Sequence, residues 1–353
     1  MRILVIDELC PPQLGGIQVR FKGLATQWAA MGHEVHITAI DHLGTSPEEE
    51  VIDGINYHRI LKDTEYYKNG PFGRKISTIF SYTFKLKPFF KQQWDVIIFC
   101  QFPVLPQIFY KLFYRKRAKT AIDFVEYRGS KLWKVINNII LNAADEAICI
   151  SNHVKQCVLE HRKDHLHIIP SFVDTTDAVS VSKSNYIFMG RMVEHKHPEH
   201  AVQGVLAYNK TYGKNMPLQL MGGGGMLNDL KTEYAGDGCI TFLGSVDDDV
   251  KQQVLANGRI LILPSEREGM PIVVIEAMAY GVPTITTDYP GNGTQFFVAE
   301  EQFGKVAQPD VDDIAKKIKE IEDNYEAYVA RCNEIKSNYD TKVIAQKYLD
   351  IFR

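Results

Sequence analysis

The chain has 353 residues, 45% of them hydrophobic and 24% charged, which is too long for one ordinary core and too apolar for a disordered segment, so two folded domains are expected. Its six cysteines form no CxxC pair and its eleven histidines are dispersed, which argues against a disulfide framework or a zinc site and for reduced thiols in the cytoplasm. The formal net charge of −3 divides unevenly: residues 1–170 carry 22 Lys/Arg against 17 Asp/Glu and the remainder 18 against 26, so the two halves face different partners.

In chain order, "RILVI" (2–6) reads as a buried strand, and Asp7 interrupts an apolar stretch too short for a signal peptide. The turn "CPPQLGG" leads into a predicted helix with Val19, Leu24, Trp28 and Met31 near helical spacing and Gly32 as its C′ residue. Further strands are expected in "HEVHITAI", "WDVIIFC", "KTAIDFV", "EAICIS" and "LHIIPSFVD". Strands alternating with helical stretches imply a mostly parallel sheet covered on both faces. The polar stretch "DTTDAVSVSKS" (174–184) is the best linker, and the pattern restarts at "SNYIFMGRM". Its later strands are "LQLMGGGG", "CITFLGSV", "RILILPS", "PTITTD" and "GKVAQP", followed by two amphipathic helices. No run of about 18 apolar residues is present, so no transmembrane helix is predicted. The reading is α/β: two Rossmann-like βαβ domains facing across a cleft, with ligands outside the carboxyl ends of the strands.

The chemistry concentrates in "PSEREGMPIVVIEAMAYGVP" (264–283). Pro271 suits a first helical position, so the backbone N–H groups of Gly269, Met270 and Ile272 point at whatever sits above the sheet, and the helix dipole favours an anion there. Glu276, one turn further in, can accept from a vicinal diol such as a ribose. Glu268 precedes the helix and can reach the group beyond the phosphates. Either glutamate alone reads as a helix-terminal or solvated carboxylate; both around a Gly-Met-Pro turn suggest a nucleotide-sugar. "FMGRMVEHKH" adds Arg191 and Lys196 after a strand, the first able to hold phosphate oxygens bidentately and the second a point charge. Together they would stabilise a departing diphosphate.

"PSEREGMPIVVIEAMAYGVP" with "MGRMVEHK" closely resembles the E-x7-E and GR…K regions of glycosyltransferase family 4, retaining nucleotide-sugar enzymes of the GT-B fold. "PPQLGGIQVRFKGLATQWAAMGHEV", "AADEAICIS", "IIPSFVD" and "ITFLGSV" extend the likeness over almost the whole chain. The resemblance implies a donor site of Gly15, Gly16, Arg191, Lys196, Val246, Glu268, Gly269, Met270, Pro271, Ile272 and Glu276. Arg191, Lys196 and Glu268 are the catalytic candidates, Asp247 lies near the base, and no metal or other cofactor is required. It implies an acceptor-binding domain over 1–172, a nucleotide-sugar domain over 173–337, and a helix over 338–353 crossing back to the first. The expected reaction is front-face transfer with retention, from a nucleotide-diphosphate-sugar to a glycan or lipid-linked glycan. Departures from the pattern are the missing His in "IDFVEYRG", where Asp123, Glu126 or Tyr127 would take over sugar contacts, and Ser171-Phe172 where Asn-Gly is frequent. A third is "PGNGTQFF", which lacks an acidic residue often found after that loop.

Other signals have plainer readings. Asp247-x-Asp249 has metal-binding DxD spacing but sits where a helix N-cap is expected. "MGGGGM" lacks the GK[ST] of a phosphate loop and reads as a tight turn. His195 and His197 lack a third ligand. Residues 67–119 hold eleven Lys/Arg against one acid, Asp95, interleaved with aromatics. They suggest docking on an anionic membrane, peripheral at its inner face; nucleic acid is not expected, since the rest of the chain is acidic. A sugar-nucleotide epimerase of the same architecture, or a non-catalytic donor-binding subunit, would share these motifs.

Overall fold

Runs of β-branched residues build two separate sheets in the computed structural model, which describes residues 1–12, 16–67, 74–115, 117–175 and 183–353. The chain divides into two units, Met1–Pro170 with Thr341–Arg353, and Ser171–Asp340. The first boundary lies two residues before the predicted one, and residues 176–182 of the predicted linker lie outside the described residues.

The first unit runs β1 (Arg2–Ile6), α1 (Gly16–Ala30), β2 (Glu34–Asp41), β3 (Glu49–Ile52), β4 (Ile55–Lys62), α2 (Ile76–Lys85), α3 (Lys87–Lys91), β5 (Val96–Cys100), α4 (Leu105–Phe113), β6 (Lys119–Phe124), α5 (Lys131–Leu141), β7 (Glu146–Cys149), α6 (Asn152–Val158) and β8 (Leu166–Ile168). Its sheet has the order β3-β4-β2-β1-β5-β6-β7-β8, parallel throughout except that β3 runs against β4. That hairpin was not among the predicted elements, although its turn, Asp53-Gly54 with φ of 53° and 77°, is the residue pair a two-residue hairpin favours.

α1 follows its predicted helix, and its predicted face holds in part. Leu24 and Trp28 are buried as expected, but Val19 and Met31 are exposed, and Phe21 and Ala25 are buried in addition. Trp28 packs its ring edge on Tyr348, 5.2 Å between centroids, and donates Nε1 to the carbonyl of Ala345 at 3.0 Å. Both partners belong to α14 (Thr341–Asp350), so this later helix completes the core of the first unit.

Asp123, offered as a substitute sugar contact, is committed elsewhere. Its carboxylate forms an ion pair with Arg20 at 3.1 Å, the two side chains being 1% and 3% exposed, and Arg20 also donates to the carbonyls of Ile169 and Pro170. The pair ties β6, α1 and the exit of β8 together. Tyr127 is likewise engaged, donating its hydroxyl to Glu160.

The second unit runs β9 (Asn185–Met189), α7 (Pro198–Tyr212), β10 (Leu218–Met221), α8 (Leu227–Glu233), β11 (Ile240–Gly244), α9 (Asp248–Asn257), β12 (Gly258–Leu263), β13 (Arg267–Glu268), α10 (Ile272–Ala279), β14 (Thr284–Thr287), β15 (Gly291–Asn292), α11 (Thr294–Glu301), β16 (Gly304–Ala307), α12 (Val311–Glu322) and α13 (Tyr325–Ile335). Six strands form an all-parallel sheet of order β11-β10-β9-β12-β14-β16, and β13 pairs with β15 apart from it. Strand order reverses at β9, which lies between β10 and β12, so the loops after β9 and β12 emerge side by side at the place where parallel sheets bind ligands. Among the described residues no helix is long and apolar enough to cross a membrane.

Arg20→Ala would strand the Asp123 carboxylate in the interior, an expected loss of about 3–5 kcal/mol in the unfolding free energy. Urea denaturation checks this, and a loss below about 1 kcal/mol would show that the pair does not hold the unit together.

Candidate active site

Arg191 lies two residues beyond the end of β9, and the chain then turns through a short 3-10 segment, Glu194–Lys196, into α7. This turn is pinned from two sides. The "MGGGG" loop after β10 lies against it: the amide of Gly190 donates to Met221 at 2.9 Å and that of Met192 to Gly223 at 2.8 Å. Gly222 and Gly224 are at φ of 136° and 150°, and a Cβ on either would collide with the carbonyl of Gly190 or of Met192. The glycines thus serve close backbone packing under Arg191, the tight turn the sequence suggested. From the other side, the amide of Glu266 donates to the carbonyl of His195 at 2.8 Å, joining the turn to the loop after β12.

That join brings Lys196 onto Glu268. The ammonium and carboxylate form a close ion pair, with side chains only 14% and 12% exposed. Glu268 is held in place by β13–β15 pairing, where it faces Asn292, and its carbonyl accepts from Gly293 at 2.7 Å. Asn292 is fully buried; its amide donates to Thr286 and to the carbonyl of Thr287, and its oxygen accepts from Thr294. Asn292 therefore fixes the loop where an acidic residue is often found.

The surroundings are electropositive. Burial, followed by the charge of Arg191, lowers the Lys196 ammonium from the ordinary lysine range to about 8. Burial, then Arg267, Lys196 and Arg191, holds His195 below the ordinary histidine range. Arg191 is exposed, and none of the ion pairs among the described residues involves it. Arg267, a third cation beside this turn, was not singled out in the sequence; its place next to Glu268 was the available signal.

The predicted first helical position is shifted by one. Pro271 is the N-cap, in extended conformation at φ −69° and ψ 132°, and α10 begins at Ile272. Met270 is buried, and its carbonyl accepts from the Ser171 hydroxyl at 3.1 Å, which gives that departure from the usual Asn-Gly a local role. Glu276 sits on the second turn and is bound at 3.1 Å by Lys251 of α9. Sequence reasoning missed Lys251, since only the packing of α9 beside α10 reveals it. Val246 is half-buried in the turn before α9, and Asp247 caps that helix by accepting from Val250 at 2.9 Å, in keeping with the N-cap reading of the DxD spacing.

Lys196 and Glu268 are thus in contact, Arg191 acts on Lys196 through its charge, and Gly269 to Ile272 continue directly from Glu268. Glu276 is joined instead to Lys251. Gly16 opens α1 in the first unit, and Gly15 lies outside the described residues. Histidine grouping differs from expectation: His197 gathers with Glu199 and His200, not His195, their ligand atoms within 4.8 Å of one another. The rings of His197 and His200 stack at 11°, so their in-plane lone pairs lie in separate, nearly parallel planes.

At the switch point of the first unit, β1 ends in two buried carboxylates absent from the sequence-based candidates. Glu8 accepts from Nε and Nη2 of Arg74, each at 2.6 Å, and from the Tyr66 hydroxyl at 2.8 Å. Asp7 accepts from Gln18 at 2.8 Å, and burial, then Glu8, pushes its carboxyl up to about 7.

The family profile described as Glycosyl transferases group 1 matches residues 178–338, and the one described as Glycosyltransferase Family 4 matches residues 14–177. The O-antigen biosynthesis glycosyltransferase WbnH of Escherichia coli is 30% identical over 142 residues, 40% of this chain and 38% of that protein, so the match spans well under half of that relative. UDP-Gal:alpha-D-GlcNAc-diphosphoundecaprenol alpha-1,3-galactosyltransferase of Escherichia coli is 25% identical over 199 residues, 50% of this chain and 49% of that protein. Among solved structures, sucrose-phosphate synthase from Thermosynechococcus elongatus superposes with a TM-score of 0.76 at 18% identity, covering 100% of this chain and 98% of that one. The shared architecture is the GT-B fold.

Gly222→Ala is expected to cost about 2 kcal/mol or more, because the added carbon meets backbone at a positive φ. Gly236→Ala, with open space around its Cβ, should stay within about 0.5 kcal/mol. Thermal unfolding of both variants checks the pair, and equal midpoints would remove the packing role of the glycine loop.

Proposed function

The chain belongs to glycosyltransferase family 4 and is a transferase, and from that premise we propose that it moves a sugar with retention from a nucleoside-diphosphate-sugar to a hydroxyl of a glycan or lipid-linked glycan. The observation that carries this reading is the half-buried contact of Lys196 with Glu268 beside the exposed Arg191, at the strand-order switch. The E. coli galactosyltransferase, named for a UDP-galactose donor and a diphosphoundecaprenol-linked acceptor, supports the acceptor class and a UDP-linked donor.

In this reading the diphosphate lies against Arg191, Lys196 and the free amides at the start of α10. Glu276, oriented by Lys251, accepts from the ribose hydroxyls, and Val246 lines the base side. Glu268 orients the transferred sugar and does not act as a nucleophile. The acceptor oxygen attacks the anomeric carbon on the face from which the diphosphate departs. The carbon–oxygen bond to the diphosphate breaks, and the hydroxyl proton passes to a diphosphate oxygen. Arg191 and Lys196 neutralise the charge that develops on the leaving group, so the step needs no metal. The acceptor side is assigned to the carboxyl ends of the first unit's strands, where Asp7, Glu8 and Arg74 meet.

Incubating the chain with a panel of nucleotide-sugars and a diphospholipid-linked glycan should release nucleoside diphosphate and lengthen the acceptor. Arg191→Ala should lower kcat/KM by roughly tenfold to a hundredfold through loss of a charge-assisted contact worth about 1.5–3 kcal/mol. An unaltered rate would take Arg191 out of the site. A panel yielding free epimerised sugar without acceptor would instead favour the epimerase.

The lowered Lys196 supplies a pH signature. The ammonium is charged below its pKa, so donor capture should weaken as pH rises through it, between about 8 and the unperturbed 10.5. The alkaline limb of kcat/KM should vanish in Lys196→Arg, whose guanidinium does not titrate there. A limb that persists unchanged in that variant belongs to another group.

A further inference from the structure

Helices normally turn their apolar side inward and a polar side outward, but two helices of the first unit carry an apolar stripe on the outward side as well. α2 buries Thr78, Tyr82 and Thr83 while Ile76, Phe80 and Phe84, spaced four apart, face outward. α5 buries Asn137 with Ile140 and Leu141, and exposes Leu132, Val135 and Ile139 at spacings of three and four. α4 lies between them and adds Leu112 and Phe113, 70% and 68% exposed.

The three helices form one continuous surface. Phe84 of α2 meets Phe109 of α4 at 5.6 Å, and Phe109 meets Phe113 at 4.8 Å. On the other flank Gln107 of α4 donates to the carbonyl of Ile140 at 2.7 Å. Eight of the sixteen large apolar side chains exposed among the described residues sit on these three helices, which marks a binding surface and not scattered exposure.

Its charge selects the partner. α2 to α5 contain no acidic residue and carry Lys85, Lys87, Lys91, Lys111, Lys131 and Lys134. A second copy of this chain docked face to face would set lysine against lysine. An acidic lipid surface satisfies both features, taking the apolar side chains between its headgroups and the ammonium groups against its phosphates. We propose that α2, α4 and α5 together are a membrane-docking face for anionic bilayers. This relocates the surface suggested for residues 67–119, since α5 lies beyond that segment while Phe90 and Tyr110 within it are core. The face is independent of the transferase reading, because it lies wholly in the first unit and needs no donor.

The test is flotation of the full chain with phosphatidylcholine vesicles, alone or with roughly a third phosphatidylglycerol, at two ionic strengths. Binding should require phosphatidylglycerol, weaken with salt, and fall about tenfold in Phe80→Ser/Leu132→Ser and in Lys85→Glu/Lys131→Glu. Both variants alter exposed side chains, so their unfolding midpoints should match the parent. Equal binding to neutral vesicles, binding unchanged in both variants, or no vesicle binding at all would overturn the proposal. So would a dimer in sedimentation equilibrium that Phe80→Ser/Leu132→Ser dissociates, since that assigns the face to a second copy.

Discussion

The ion pair between Lys196 and Glu268 organises the second unit's loops. An ammonium so little exposed has lost much of its hydration, and a nearby guanidinium makes its charge still less favourable. Glu268 supplies the missing countercharge. Removing either partner leaves the other desolvated and alone, which in proteins costs several kcal/mol. Under the transfer reading, the carboxylate therefore stands where a diphosphate oxygen would also be welcome, and the site is preorganised for an anion before one arrives.

The pair exists because of strand order. β9 and β12 are neighbours in the sheet although two strands and three helices separate them in the chain, so their following loops share one rim. Each loop is then stiffened by a different device. Close glycine packing underlies the first, and the buried Asn292 amide, through β15, underlies the second. Neither device touches the proposed ligand, yet both determine where the charged groups point.

Much of this was legible in the sequence. Apolar strand runs with turn residues between them revealed two parallel-sheet units, and Arg191, Lys196 and Glu268 could be nominated because each follows a strand closely. What escaped was whatever depends on packing between distant segments. Lys251 reaches Glu276 only because α9 lies beside α10, and Asp123 is unavailable only because Arg20 lies against it. The part of the α1 face that differs has the same origin: Val19 and Phe21 are similar in apolarity, and the sheet decides which is covered. The β3–β4 hairpin is hard to see despite its turn, because β3 opens within the acidic run Glu48–Glu50, which resembles a loop. The outward apolar stripes of α2 and α5 have ordinary helical periodicity, and only burial shows that they are left uncovered.

The place of α14 bears on how the protein is made. Trp28 is synthesised early, yet the residues that cover it, Ala345 and Tyr348, follow more than three hundred positions later. During translation the first sheet must therefore persist with an indole uncovered while the entire second unit is being added. The second unit has no such wait, because Ser171–Asp340 is continuous. The unit that is read second can thus be the first to reach its finished core, and the other matures only after Thr341–Arg353 have followed it.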